Sequence, residues 1–219
     1  MVYAKFTGCC YSMPMRFALI VIFAVLFGSP VVAADLTVSV RDSAGRPVRD
    51  AVVTVVPAGG VPSGPIRFAW PLRVTQQNIQ FDPFVLIAPV GATVSFPNLD
   101  RVRHHVYSFS RGNRFEIELF GRDETRTHVF ATAGVAALGC NIHDQMLAYV
   151  KVVDTPWAAK TGATGDVTLS GLPAGGATLR VWHPRLTGRG NEIATVYTQA
   201  AGGSRQLITG DFSGSAGVR

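Results

Sequence analysis

The chain has 219 residues, with 20 lysines and arginines against 14 aspartates and glutamates, and a formal net charge of +6. Without Lys5 and Arg16, the two charges near the N-terminus, 18 basic residues stand against 14 acidic ones, a net charge of +4. A charge this small, interleaved with acidic residues, argues against a nucleic-acid partner.

The first 34 residues are predicted to be a signal peptide that directs the chain to the periplasm. Residues 17–27 form an apolar run that is too short to span a bilayer, and Val32-Ala33-Ala34 offers a cleavage site before Asp35. The mature chain is then expected to carry no membrane span. A retained membrane anchor is the alternative, and Met13 or Met15 is an alternative start.

From residue 35 onwards the sequence indicates strands and shows no convincing helical periodicity. Alternating or β-branched runs are separated by turns rich in Gly, Pro, Asp and Asn. Many short strands with turns at regular spacing favour an all-β sandwich or barrel. The tail after Gly202 is rich in Gly and Ser and is predicted to be poorly ordered at its end. The main predicted strands are 36–40, 51–56, 79–83, 85–87, 91–96, 105–109, 115–119, 127–130, 147–153, 165–169, 178–182 and 193–197.

One loop carries most of the recognisable chemistry. Cys140, His143 and Met146 stand at C-x2-H-x2-M spacing and supply a thiolate, an imidazole and a thioether, three of the four ligands of a blue-copper centre. Cys140 is the one cysteine after the leader, so in an oxidising compartment it is a reactive thiol, an intermolecular bridge or a metal ligand, and the neighbouring His143 and Met146 favour the ligand. A histidine from a distant strand, for which His104 is the candidate, completes the set. Zinc is disfavoured because it rarely takes methionine.

Four motifs between residues 75 and 153 resemble those of a cupredoxin with the loop spacing of amicyanin. They are Phe81-x-Pro83, Gly91-x-x-Val94, Asn98-x-Asp100-x-x-x-His104 and the C-x2-H-x2-M loop. The resemblance implies a Greek-key β-sandwich that holds one type 1 copper ion. It also implies His104, Cys140, His143 and Met146 as its ligands, with the edge of His143 at the surface where electrons pass.

Two adjacent histidines compete for the place of the remote ligand. Adjacent residues of a strand point to opposite faces, so only one of His104 and His105 is expected to ligate. The family pattern favours His104, and His105 then takes the place of an asparagine that bonds to the cysteine loop, or acts as a packing residue. His128 and His183 are predicted to stay outside the site, because neither lies in a motif with ligand spacing.

The segments on either side resemble parts of a second module. Asp35–Val56 is similar to the opening of a carboxypeptidase-regulatory, prealbumin-like module, and Thr161–Trp182 to its second half. We therefore predict that residues 35–74 and 154–219 form one small β-sandwich with the cupredoxin, residues 75–153, inserted in it. Three modules in series is the alternative, but neither flanking half has enough strands to close a core alone. The whole arrangement is similar to bacterial proteins labelled methylamine-utilisation or plastocyanin-like.

These observations predict a periplasmic one-electron carrier that is not an enzyme. No nucleophile–base pair, carboxylate dyad or phosphate loop is recognisable, and an enzyme would need a second metal site. The alternatives are a periplasmic copper store or chaperone and a structural envelope module with a vestigial copper loop. The resemblance implies a redox protein partner, such as a c-type cytochrome or a periplasmic dehydrogenase.

Six arginines follow the asparagine motif, at positions 101, 103, 111, 114, 122 and 126. One interpretation is a solvated sheet face that neighbouring acidic residues balance. The other is that Arg101 and Arg103, which flank the loop of the remote ligand, favour Cu(I) and steer an acidic redox partner.

Overall fold

The computed structural model describes residues 1–4, 8 and 33–217. The apolar run 17–27, the charges Lys5 and Arg16 and the alternative starts Met13 and Met15 lie outside the described residues, so the predicted signal peptide stays a prediction. The described residues from 33 to 217 belong to one compact unit. Among the described residues, no helix has the length and apolar character needed to cross a membrane.

The prediction of an all-β fold is confirmed. Regular structure between residues 33 and 217 consists of sixteen strands and a three-residue 3-10 helix at Arg189–Asn191. The strands are β1 (Ala33–Asp42), β2 (Val52–Pro57), β3 (Thr75–Gln77), β4 (Gln80–Asp82), β5 (Val85–Pro89), β6 (Ala92–Pro97), β7 (His104–Ser108), β8 (Phe115–Phe120), β9 (Thr125–Phe130), β10 (Gly134–Gly139), β11 (Leu147–Val153), β12 (Ala158–Lys160), β13 (Asp166–Pro173), β14 (Gly175–Trp182), β15 (Glu192–Gln199) and β16 (Ser204–Gly210).

The strand ladders separate the middle of the chain from its two ends. Strands β3 to β11 pair among themselves, in the five-stranded order β5-β11-β10-β7-β8 and in the pairs β3-β4 and β6-β9. Strands β1 and β2 pair instead with strands after residue 157, in the orders β13-β1-β16 and β12-β2-β14-β15. This pairing supports our proposal that the middle part (residues 75–153) is inserted in an outer sandwich formed by residues 35–74 and 154–219. The resemblance of the outer part to a prealbumin-like module stays a prediction.

Each part has its own apolar core, and a third cluster joins them. Strand β1 fully buries Leu36, Val38 and Val40, because alternate side chains of a strand face the same side. The core of the middle part contains several large aromatic side chains and also Cys140 and Met146. In the joining cluster, Tyr149 of β11 and Trp182 of β14 meet edge to face with ring centroids 5.6 Å apart. The residues on either side of the loop that links β10 to β11 are therefore anchored in buried cores.

The tail after Gly202 contains a strand that the sequence pattern did not indicate, and the prediction of poor order at its end stays a prediction. This strand is β16, which runs parallel to β1 and pairs with it from Leu36 to Asp42. Its two large apolar residues, Leu207 and Ile208, are adjacent, so the sequence shows little of the alternation that would indicate a strand. In the structure Ile208 is buried and Leu207 is 66% exposed. The strand forms because β1, far away in the sequence, offers it a free edge.

Candidate metal centre

Three predicted ligands come together at one end of the middle sheet. Within the part of the chain that the structure describes, His104, Cys140 and His143 form a group whose ligand atoms lie within 4.8 Å of one another. The Cys140 Sγ atom is 3.9 Å from Nδ1 of His104 and 3.8 Å from Nδ1 of His143. With bonds of about 2.3 Å to sulfur and about 2.0 Å to nitrogen, a trigonal metal site separates sulfur from nitrogen by about 3.7 Å. The three atoms are therefore spaced to hold one ion.

A tight turn after His143 places Met146 in the same buried core as Cys140. The Met146 backbone amide donates a hydrogen bond to the His143 carbonyl at 2.9 Å, which folds the loop back toward strand β11. The Met146 side chain is 1% exposed, belongs to the same core as Cys140, and lines one cavity together with it. One thiolate, two imidazoles and a thioether are the donor set typical of a type 1 copper site.

Asp100 fixes the ring of His104. The His104 side chain is fully buried, and its Nε2 lies 2.8 Å from Asp100 Oδ2. Burial raises the pKa of Asp100, but hydrogen bonds from the Ile79 amide, the His104 ring and the Asn78 amide outweigh it and hold that pKa below its usual range. Because the carboxylate takes the Nε2 proton as a hydrogen bond, the lone pair of Nδ1 is left facing Cys140. Asp100 therefore selects the tautomer that metal binding needs.

Asn98 holds the loop from which Asp100 projects. Its side-chain amide is fully buried and donates to the carbonyl oxygens of Val102 (2.9 Å) and Phe120 (3.1 Å). Its side-chain oxygen accepts the backbone amide of Asp100 at 2.9 Å. The hydrogen bonds of Asn98 thus fix the loop so that the Asp100 carboxylate can reach the ring of His104.

His105 lies outside the ligand group. Its ring is 3% exposed, and its Nε2 lies 2.9 Å from Glu116 Oε1 on strand β8. Its Nδ1 is buried without a hydrogen-bond partner among the described residues. The ring bonds to a neighbouring strand, whereas the resemblance implied a bond to the cysteine loop, because β7 turns adjacent side chains to opposite faces.

His128 and His183 also lie apart from the group. His128 stacks on Phe115 with centroids 4.0 Å apart, and burial lowers the pKa of His128. The His183 Nδ1 accepts the Arg185 amide at 3.2 Å, and burial lowers the pKa of His183 to about 4. Both rings have packing roles in the structure.

Tyr107 is a neighbour of the centre that sequence reasoning missed. A Cβ atom placed on Gly139 would lie 2.6 Å from Tyr107 Cζ, so the phenol ring packs directly on the backbone beside Cys140. The strand before Cys140 carries the small residues Ala136, Ala137 and Gly139. These small residues were the sequence signal for such a neighbour, because they leave space beside the strand. The ring of Tyr107, from the paired strand β7, fills that space at Gly139.

The arginines near the site divide into two sets. Arg122 and Arg126 pair with Asp123 and Glu124, as residues of a solvated surface do. Arg103 donates to the Leu119 carbonyl at 2.7 Å and, among the described residues, forms no salt bridge. The Gly121 amide and Arg126 hold the pKa of Glu124 below its usual range, and the nearby Arg103 charge adds to this, so Glu124 compensates part of the Arg103 charge.

Comparison with known proteins gives partial structural matches. No protein-family model matches the chain, and no curated protein matches it in sequence. A copper-containing nitrite reductase from Thermus scotoductus is 27% identical over 39% of this chain and 23% of its own length, with a TM-score of 0.37. A purple cupredoxin from Nitrosopumilus maritimus is 25% identical over 37% of this chain and 98% of its own, with a TM-score of 0.34. A reduced Cu(I) form of an amicyanin variant is 19% identical over 48% of this chain and 99% of its own, with a TM-score of 0.36. The chain thus spans less than a quarter of the nitrite reductase.

Proposed function

We propose that this chain is a periplasmic cupredoxin that binds one copper ion and carries single electrons between redox proteins. The observation that carries the proposal is the meeting of the Cys140 thiol with two imidazole Nδ1 atoms, one of them 36 residues away in the sequence. The proposed ligands are His104, Cys140, His143 and Met146. Copper, when bound, supplies a Cu(II)/Cu(I) couple whose potential the sulfur ligands tune.

The burial of the donors supports electron transfer. Cys140, Met146 and His104 are each less than 5% exposed and belong to packed strands or to the tight loop between them. A site that is fixed in this way needs little rearrangement between two oxidation states. His143 is half-buried, so its outer edge gives electrons a short way to a partner.

The location and the partner are further parts of the proposal. The apolar leader supports export to the periplasm. The positive charge of Arg101 and Arg103 beside the remote histidine supports an acidic partner surface, because opposite charges steer encounter. A c-type cytochrome or a periplasmic dehydrogenase has the chemistry to exchange single electrons there.

The direct test is spectroscopy of the copper-loaded protein. We expect one copper ion per chain, an intense visible thiolate-to-copper absorption, the paramagnetic-resonance spectrum of a type 1 site, and reversible one-electron reduction. Copper should leave slowly when a mild chelator is added. A colourless protein with stoichiometric Cu(II) would contradict the proposal. Rapid loss to the chelator would favour a copper store or chaperone, and failure to bind copper would favour a structural module.

A second test changes the residue that positions His104. Asp100→Asn leaves one side-chain oxygen for the three donors that the carboxylate now satisfies, so the imidazole loses its fixed orientation. We expect the copper affinity to fall by about 10- to 100-fold, the usual effect of removing a hydrogen-bond partner of a ligand. Asp123→Asn is the matched control, because that carboxylate is exposed and lies away from the ligands. Competition with a chelator measures both, and equal affinities in the two variants would show that Asp100 has no positioning role.

A further inference from the structure

The C-terminal segment reaches the metal centre from a side that neither imidazole covers. A cavity of about 250 Å³ is lined by Cys140 and Met146, by Tyr107, and by Ala216 and Gly217. Among the described residues that line it, neither histidine ligand appears. The outer part of the chain therefore contributes a wall to a cavity that Cys140 and Met146 also line.

Several contacts hold this segment, residues 212–217, which we call the strap. Phe212 meets the ring of His183 at 5.4 Å, and the Gly214 amide donates to the Arg185 carbonyl at 2.9 Å. The Gly217 amide donates to the Tyr149 hydroxyl oxygen at 2.8 Å, and that hydroxyl lies 3.2 Å from the Gly217 carbonyl. The strap is thus bound at its start, its middle and its end.

The last of these contacts connects the strap to the ligand loop. Tyr149 is 4% exposed and belongs to strand β11, which starts immediately after Met146. Its ring packs edge to face on Phe84 at 5.5 Å and on Trp182 at 5.6 Å. The hydroxyl that receives the strap is therefore fixed by the cluster that joins the two parts.

We propose that the strap partly covers the metal centre: it forms one wall of the half-open cavity beside Cys140 and Met146 and restricts the access of solvent and small reagents to it. Control of solvent access around a metal site sets the polarity near its ligands and the ease with which ligands exchange. The importance of the strap for copper rests on the proposed function. Closure over the thiol is a property of the metal-free chain and can be measured there.

Two glycines of the strap provide a matched pair of variants. A Cβ atom on Gly214 would lie 2.7 Å from the backbone oxygen of Arg185, so Gly214→Ala must move the strap. A Cβ atom on Gly217 meets no atom within 4 Å, so Gly217→Ala should leave the strap in place. Truncation after Phe212 removes residues 213–217 of the strap, including both residues that line the cavity, and truncation after Gly217 is its control.

The readout is the rate at which Cys140 reacts with an aromatic disulfide reagent in the metal-free protein, on a full-length Cys9→Ser, Cys10→Ser background. We expect a rise of roughly tenfold for Gly214→Ala and for truncation after Phe212, because opening the cavity exposes the sulfur. The two controls should react within about twofold of the parent chain. In the copper-loaded protein, the first two variants should also lose copper to a chelator roughly tenfold faster.

A destabilised variant separates closure from general unfolding. Val38 is fully buried on β1 in the outer core and does not line the cavity, so Val38→Ala lowers stability without changing any residue of the cavity wall. A thiol reaction rate in the strap variants no higher than in Val38→Ala at matched stability would overturn the proposal, as would unchanged rates in folded strap variants. If the thiol rates rise but copper does not bind, closure stands and the proposed function fails. If copper binds with the expected spectrum and the thiol rates are unchanged, the proposed function stands and the proposed role of the strap fails.

Discussion

Cys140→Ala is expected to abolish the visible thiolate-to-copper absorption of the copper-loaded protein completely. The absorption arises from charge transfer between sulfur and copper, and Cys140 is the one cysteine that the structure describes. Two imidazoles and a thioether remain, and they lack the charged soft donor that selects copper. We expect Cu(I) binding to weaken more than Cu(II) binding, because thiolate favours the softer ion.

Absorption spectra and chelator competition on the purified variant check this expectation. Asn141→Ala is the matched control, since Asn141 is exposed in the same loop and is not among the proposed ligands. The control should keep the full intensity of the band. Colour that survives in Cys140→Ala would mean that the thiolate ligand has been assigned wrongly.

The metal centre was predictable where its information is local. Cys140, His143 and Met146 lie within seven residues, and spacing alone indicates that their side chains can converge. The structure then brings His104 within 3.9 Å of the Cys140 sulfur, as the asparagine motif indicated. Asp100 stood in that motif, but its contact with His104 depends on how the loop turns around Asn98, which a pattern of residue types does not specify.

The features that the sequence pattern missed depend on distant contacts. Strand β16 pairs in parallel with β1, more than 160 residues away, and its own residues show little alternation. Tyr107 lies beside Cys140 because β7 and β10 are neighbours in the sheet. The strap reaches the cavity only because the outer and middle parts share one apolar cluster. Each depends on packing between segments, so a residue-by-residue analysis has no signal for it.

The strand ladders also explain why the pattern indicated β1 and not its neighbour β16. Strands β1 and β2 pair with strands that follow residue 157. The sheets that contain them are therefore complete only when both ends of the chain are in place. A segment of this kind shows alternation, as Leu36, Val38 and Val40 do, without showing which strand it will meet. Sequence patterns therefore indicated strands correctly in β1 and left its neighbour β16 undetected.

The two adjacent histidines should give opposite results when each is changed to alanine. We expect His104→Ala to lose the type 1 spectrum and most of its copper affinity, because it removes a proposed ligand. Its stability should also fall, since Asp100 loses a buried hydrogen-bond partner, a loss that typically costs about 1–3 kcal/mol. His105→Ala should keep the spectrum and the potential, because its ring faces Glu116 on the other side of β7.

Measuring both spectrum and unfolding separates ligation from packing in these two variants. His105 is 3% exposed, so His105→Ala leaves a cavity and should also lower the thermal midpoint. If both variants lose stability but only one loses its colour, the histidine replaced in the colourless variant is the ligand. If His105→Ala proved colourless and His104→Ala stayed blue, β7 would have to present the opposite face to Cys140. The register of β7 with β8 already shifts between His104 and Val106, and that shift would then have to lie elsewhere, because a shift by one residue turns the side chains that follow it to the other face.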